Sequence, residues 1–387
     1  MNYNFLDDEL NIRVVLSYLA QFNPTTLRRL VKNYGAFETY RHITSSTGGK
    51  IPNIQKVVDK WKEVSKSIDL KQVVDDFVKA EGTIIIPSDK LWPKNFQYLG
   101  DDEPIALFAL GNCEKLDEYS KKSVSLVGSR VCTNYGREVA TNMASELGDM
   151  GYAIVSGGAI GIDISAHIGA LNSRTKCGNI AFMPSGILRL YPKTNDIVFR
   201  RMLQMGGVFL AEYPGNASPK SYQFLERNRL IAAFSNGTVV VEASWRSGAI
   251  STANWALKYN KPLGVVPGMI TAPSFAGCHQ LIRECNATTI TCADDVDEMC
   301  LGEFDLLKAQ LKDDELSEKF ARKYDNLSST ERDIIYEFRK KRTQTVDELA
   351  SVLYCEKSDV LAQLARLQLS GLVESLGDNR YTRKGDI

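Results

Sequence analysis

Five basic side chains, Arg130, Lys220, Arg227, Arg229 and Arg246, stand in or beside segments where glycine and small residues interrupt apolar runs. A guanidinium is a planar fork that grips phosphate through two parallel hydrogen bonds, and glycine lets backbone N–H groups approach the same anion. The stretch 124–171 carries this pattern twice. Gly128-Ser129-Arg130 follows the apolar run 124–127 and precedes a helical pattern from Asn134; Ser156-Gly157-Gly158 follows 152–155 and precedes a helix from about Gly161, with Asp163 in its first turn. Two such units in succession place helix N-termini at one edge of a parallel sheet, where anions bind. Neither turn is a G-x-G-x-x-G, and a glycine-rich turn also serves tight geometry alone.

The run 220–229, KSYQFLERNR, mixes bases with aromatics, as a groove for single-stranded nucleic acid does: cations meet phosphates and rings stack on bases. Phe224, Tyr222 and Trp245 are the candidate rings. The same run also reads as an amphipathic helix with a solvated basic face and Phe224 in the core. Asp163 and His167 are four apart, on one helix face. They are either the acid and base of a hydrolase or a helix-terminal carboxylate with a hydrogen-bonded histidine beneath it. Glu242 ends a buried strand, as a catalytic carboxylate or as the acceptor for a neighbouring turn. The sequence shows no Ser–His–Asp set, no metal-ligand cluster and no Walker lysine turn. Its eight cysteines include no C-x-x-C; Cys278, Cys285, Cys292 and Cys300 recur every seven or eight residues beside His279, too widely for a zinc site, and read as reduced thiols.

The 387 residues suffice for two or three domains with a large core, and 44% hydrophobic with 24% charged residues describes an ordinary globular chain. Lys+Arg and Asp+Glu are both 47, so a polyanion site must be a local patch. No run approaches a membrane span and the opening MNYNFLDDEL is acidic where a signal peptide is basic, so a cytoplasmic location and no membrane partner are expected.

These residues need elements to hold them. Residues 1–78 have helical spacing, joined through Asn23-Pro24-Thr25, and resemble a helix-hairpin-helix module; a packing appendage is the other reading. Ser45–Lys50 (SSTGGK) lacks a preceding strand and reads as a turn. From residue 80 to 293, strands at 83–86, 104–110, 124–127, 152–155, 179–183, 208–211, 238–241 and 263–266 alternate with helices at 196–205, 222–234, 248–259 and 278–285. That order predicts an α/β fold with a doubly wound, mostly parallel sheet, whose ligands bind beyond the strands' carboxyl ends. Those ends carry Gly128-Ser129-Arg130, Ser156-Gly157-Gly158, Pro184-Ser185-Gly186, Glu242 to Ser247 and Pro267-Gly268. Residues 294–326 read as an acidic linker, with ten acids against two lysines in 294–318. Residues 327–387 give three helices and a hairpin, a winged-helix pattern whose third helix, 358–369, carries Arg366 as its one base and suits DNA reading or protein contact.

Ordered motifs between residues 83 and 291 add a resemblance. Val127-Gly128-Ser129-Arg130 with Thr133, Tyr135 and Gly136; Ser156-Gly157 with Gly161-Ile162-Asp163, Ala166-His167 and Gly169-Ala170-Leu171; Tyr191-Pro192 with Asn195; Glu212-Tyr213-Pro214; Arg227-Asn228-Arg229; Val241-Glu242-Ala243 with Ser247-Gly248; and Val266-Pro267-Gly268 are similar to the DNA-processing protein A (DprA/Smf) family. The resemblance implies an extended Rossmann-like core that binds single-stranded DNA without reading its sequence, performs no catalysis, uses no cofactor, forms a homodimer, protects incoming DNA and hands it to RecA recombinase in natural transformation. It assigns the strand to Gly128, Ser129, Arg130, Lys220, Phe224, Arg227, Asn228, Arg229, Ser247 and Gly248. Ser156, Gly157, Gly158, Gly161, Asp163, His167, Glu242, Pro267 and Gly268 would line the pocket. Ile160 stands where many relatives have arginine, and Leu225 where they have proline. A nucleotide hydrolase working through Asp163, His167 and Glu242, although the P-G-G-x-G-T-x-x-E pattern of such enzymes is missing, and a nucleotide-sensing core are the competing readings.

Overall fold

The computed structural model describes residues 8–45, 55–301, 327–340, 343–353 and 355–384. The chain divides into two compact units, Met1–Cys300 and Leu301–Ile387. The first opens with four helices, α1 (Glu9–Ala20), α2 (Pro24–Thr44), α3 (Gln55–Ser67) and α4 (Leu70–Lys79). Asp8 and Asn23 start the first two by accepting from the N–H of Leu10 and Thr26, and Pro24 occupies the first turn of α2, where no donor is lost. Their shared core is Ile12, Leu16, Leu19, Leu27 and the buried Trp61.

Next come β1 (Gly82–Ile85), β2 (Leu107–Gly111), α5 (Leu116–Lys121), β3 (Ser123–Gly128), α6 (Asn134–Asp149), β4 (Ala153–Ser156), α7 (Ile162–Asn172), β5 (Asn179–Met183), α8 (Asp196–Gln204) and β6 (Val208–Ala211). The unit closes with α9 (Ser221–Phe234), β7 (Gly237–Glu242), α10 (Gly248–Lys258), β8 (Leu263–Val265), α11 (Ala276–Cys285), β9 (Thr288–Thr289) and α12 (Ala293–Cys300). The sheet order is β1-β2-β6-β5-β4-β3-β7-β8-β9. From β6 to β9 all pairs are parallel, and their side chains are buried on both faces because helices cover both; only the two-residue β9 is exposed. β1 and β2 extend the sheet antiparallel beside β6. Chain order runs one way from β3 through β4, β5 and β6 and the other way through β7, β8 and β9. The switch point therefore lies between β3 and β7, where a crevice opens at the carboxyl edge.

Two details differ from the sequence reading. Residues 294–300, assigned to the linker, belong to α12, which buries Ala293 and Val296 on the core; Asp295 accepts from the N–H of Thr291 and Cys292 at its start. The strands β9 and β10 were not expected, being two and three residues long. Residues 302–326 of the acidic stretch and 46–50 of SSTGGK lie outside the described residues. The second unit comprises α13 (Ser329–Lys340), β10 (Thr343–Thr345), α14 (Val346–Leu353), α15 (Lys357–Leu369), β11 (Val373–Gly377) and β12 (Arg380–Arg383), with sheet order β10-β12-β11 around Ile334, Leu349, Val360, Leu364 and Leu367.

Buried charge joins the N-terminal helices to the sheet. Glu212, just after β6, accepts from Arg229 Nη2 at 2.7 Å and from Arg28 Nη1 at 3.1 Å, and Arg28 also reaches Glu226 at 2.8 Å. Burial alone pushes the Glu212 carboxyl up; Arg229 and Arg28 outweigh it and hold the group below its usual range. Two positive and two negative charges balance here, which is what makes burial tolerable. Glu212→Gln should therefore destabilise the first unit by about 3–5 kcal/mol, measured by urea unfolding, because it leaves the buried Arg229 guanidinium without a carboxylate and Arg28 with Glu226 alone. A loss under about 1 kcal/mol would contradict this account.

Candidate functional site

A cavity of about 680 Å³ occupies the switch point. Its walls are the loop after β3 (Gly128, Ser129, Arg130, Val131), Ala159 and Asp163 at the start of α7, and Ser221, Phe224, Leu225, Arg227, Asn228 and Ile231 of α9. Ser244, Arg246, Ser247, Gly248 and Thr252, around the start of α10, complete them together with Ser274. Small residues follow each strand because the chain turns sharply where the sheet's buried run ends. Ser247 caps α10, accepting from Ala249 N–H at 3.3 Å, so the positive end of that helix faces the cavity. An added Cβ on Gly248 would meet nothing within 4 Å, so the fold leaves that space open.

Arg130 is exposed at the rim, its guanidinium 4.6 Å from the Phe224 ring centre, and Tyr191 meets the same ring edge-on at 5.8 Å. Phe224 thus holds Arg130 over the mouth through a cation–π contact. Arg227 lies deeper and is 4% exposed. Its Nη1 donates to Phe182 O at 2.7 Å, and its buried Nε has no hydrogen-bond partner among the described residues. Burial pulls its pKa down to about 10, with Asp163 opposing, so it stays charged at neutral pH. Its guanidinium passes so close to Gly157 that a Cβ there would sit 1.8 Å from Nη1; glycine is required for this approach, not for phosphate. Asn228 donates to Gly248 O at 3.2 Å, tying α9 to α10.

Four strand-contact assignments change. Arg229 is wholly buried: it donates to Glu212, to Asp102 O at 2.9 Å and to Glu226 O at 2.9 Å, so its side chain faces away from the cavity. Lys220 donates to Gln21 O at 3.3 Å and lies over the Phe22 ring, toward the N-terminal helices; Ser221 takes the place on the cavity wall. The Ser129 N–H is held by Glu242 O at 2.7 Å and its hydroxyl by Val131 O at 2.9 Å, so this turn contributes its arginine more than its amides. Tyr222 likewise donates to Gln21 O.

Several residues expected in the lining lie outside it, engaged elsewhere. Ser156 donates to Leu126 O. Gly161, at φ +86°, brings α7 against Ser129 O, where a Cβ would sit at 2.2 Å. Gly158 stands against Phe199, Pro267 O accepts from Tyr135, and Gly268 packs on Phe275. Glu242 accepts from Thr133 N–H at 3.0 Å and Thr133 Oγ1 at 2.7 Å. Asp163 touches the cavity but accepts from the N–H of Gly157 (3.1 Å) and Ala159 (3.4 Å), and burial raises its pKa. The hydrolase trio is thereby dispersed, each member spent on holding its own turn. Sequence reading missed Ser221, Ser244, Thr252 and Ile231; the last two carry only a helical spacing of three or four from Gly248 and Asn228 as a signal.

His167 is buried under the second turn, its Nδ1 2.6 Å from Asn179 Oδ1, while Asn179 Nδ2 donates to His167 O at 3.0 Å. That pairing puts the proton on Nδ1 of a neutral ring, and burial depresses the group to about 4. The unfolded chain, with a pKa of about 6.5, binds this proton more readily, so the stability it contributes is full above that pH and lost as pH falls toward 4. Acidification from about pH 7.5 to about 4.5 should cost up to about 3 kcal/mol through this group, and His167→Gln should flatten that part of the unfolding free-energy profile. An unchanged slope in the variant would show that His167 is not the group that titrates.

The model of the DNA recombination-mediator protein A family matches residues 83–300. A DprA-type DNA processing protein of Mycobacterium tuberculosis is 35% identical over 323 residues, covering 81% of this chain and 79% of its own; DprA of Streptococcus pneumoniae is 36% identical over 211 residues, 53% of this chain and 68% of its own. Among solved structures, S. pneumoniae DprA superposes with a TM-score of 0.59 at 28% identity, covering 73% of this chain and 94% of the other. DprA of Helicobacter pylori, solved in a study of its single-stranded DNA binding mode, gives 0.50 at 30% identity, covering 60% and 97%. The cavity, the sheet that forms it and the motifs on its rim all fall inside the matched span, and this chain belongs to the DNA recombination-mediator protein A family.

Proposed function

We propose that the cavity holds the sugar-phosphate chain of single-stranded DNA without reading its sequence, and that the protein shields this strand and passes it to a RecA-type recombinase during natural transformation. The observation that carries the reading is the convergence, at one switch-point cavity, of the exposed Arg130, Arg246, the N-terminus of α10 at Ser247 and Gly248, and Asn228, with Arg227 charged at the base. Those are phosphate-binding groups rather than groups that read base edges. The single-stranded DNA binding of the H. pylori relative supports it. Cytoplasmic residence and a homodimer complete the proposal; no helix among the described residues is long and apolar enough to cross a membrane.

Arg130→Ala should weaken binding of a fluorescent oligothymidine by about 1.5–3 kcal/mol. It should also make the log–log salt dependence shallower by about 0.7. Full affinity in that variant at moderate salt would reject the site. Gly248→Ala supplies a second check, since the added methyl meets no protein atom and alanine is the better helix former. Its melting temperature should hold or rise while strand affinity falls about tenfold by titration.

A further inference from the structure

Helix α9 has two working faces. Phe224, Arg227, Asn228 and Ile231 follow one another at helical spacing on the cavity side, and Tyr222, Glu226 and Arg229 do so on the side of the N-terminal helices. Its second half, Leu230–Phe234, is buried in the sheet's core and needs no outside support. Its first half, which carries the strand contacts, is clasped by α2 and by the connection between α1 and α2. Arg28 of α2 binds Glu226 at 2.8 Å and, at 3.1 Å, the same Glu212 oxygen that holds Arg229. The Gln21 carbonyl accepts from Tyr222 Oη at 2.7 Å and Lys220 Nζ at 3.3 Å, with the Phe22 ring 5.1 Å from that ammonium. Glu212, Arg28 and Arg229 are each 3% exposed or less, so this clasp is a fixed part of the unit and not a chance surface contact.

We propose that the N-terminal helices set the binding competence of the cavity, and that Arg28 is the positioning residue through which they do so. This rests on the strand-binding reading of the cavity. Arg28 touches no cavity-lining group; it acts by fixing Glu226 and Glu212, and through them the orientation from which Phe224, Arg227 and Asn228 face the ligand. A loosened first half of α9 lowers the fraction of molecules in the competent arrangement, and apparent affinity falls by that fraction. The charge at the phosphates is unchanged.

The test uses the full chain and a labelled oligothymidine titrated at several salt concentrations. Arg28→Met should raise Kd by about three- to thirtyfold with the salt slope unaltered. Arg28→Lys should recover part of the loss, and amide hydrogen exchange in Ser221–Asn228 of the unliganded protein should quicken in Arg28→Met. Should Arg28→Met fail to fold, the pair Phe22→Ala with Tyr222→Phe opens the clasp at half-exposed positions without burying a lone charge, and the same rise in Kd at constant slope is expected. Wild-type affinity in the folded clasp variants would overturn the proposal. So would a slope shallower by about 0.7, which would mean that Arg28 meets phosphate directly. Arg130→Ala run alongside separates the two levels: if it too binds as wild type, the cavity reading has failed; if it alone weakens binding, the positioning role has failed.

Discussion

One residue fixes the loop on which the site is built. Glu242 ends β7, and its carbonyl receives the Ser129 N–H while its carboxylate receives both the N–H and the hydroxyl of Thr133. The loop from Gly128 to Thr133 is thus fastened at both ends to the neighbouring strand, across the switch point, and Arg130 is carried at the middle of a short span. Gly136 leaves room for that carboxylate: a Cβ there would stand 2.2 Å from Oε2. The arginine is displayed by a buried acid that has no free edge to offer a substrate. Both oxygens of that carboxylate are engaged by the loop it holds.

The same economy runs through the cavity's floor. Asp163 holds the glycine turn that follows β4, His167 holds the start of β5 through Asn179, and Gly157 yields its space to Arg227. Buried polar groups must find partners, and here the nearest partners are the backbone amides and carbonyls that shape the crevice. Residues with catalytic chemistry become parts of the scaffold. What remains turned toward solvent is Arg130, Arg246 and small residues, with Val131 and Leu225 beside them.

The sheet, its carboxyl edge and most of the helices were legible because short apolar runs ending in glycine or serine have few other solutions. Which side of α9 each base occupies was not. Arg227 and Arg229 stand two apart in one motif and point to opposite sides of the helix; periodicity alone separates them but does not say which side is the cavity. That choice is made by Arg28 and Glu212, 201 and 17 residues away from Arg229 and joined by no local pattern. Lys220 has the same history, drawn off by Phe22 and the Gln21 carbonyl. The antiparallel β1 and β2 were read as strands, but their pairing at the far edge beside β6 depends on contacts that spacing cannot reveal.

The buried acid after β6 also has a bearing on how this chain can be divided. The matched core begins at residue 83, and on sequence alone the four preceding helices look dispensable. Cutting there removes Arg28 and leaves Glu212 with a single guanidinium, and it bares the apolar face of Phe108, Met183 and Ile187 on which Val14 and Phe77 sit. A shortened form would carry an exposed seam where the intact chain has an interior, inviting self-association that says nothing about the parent's own assembly. The boundary that motif recognition draws and the boundary that the interior respects are therefore some eighty residues apart.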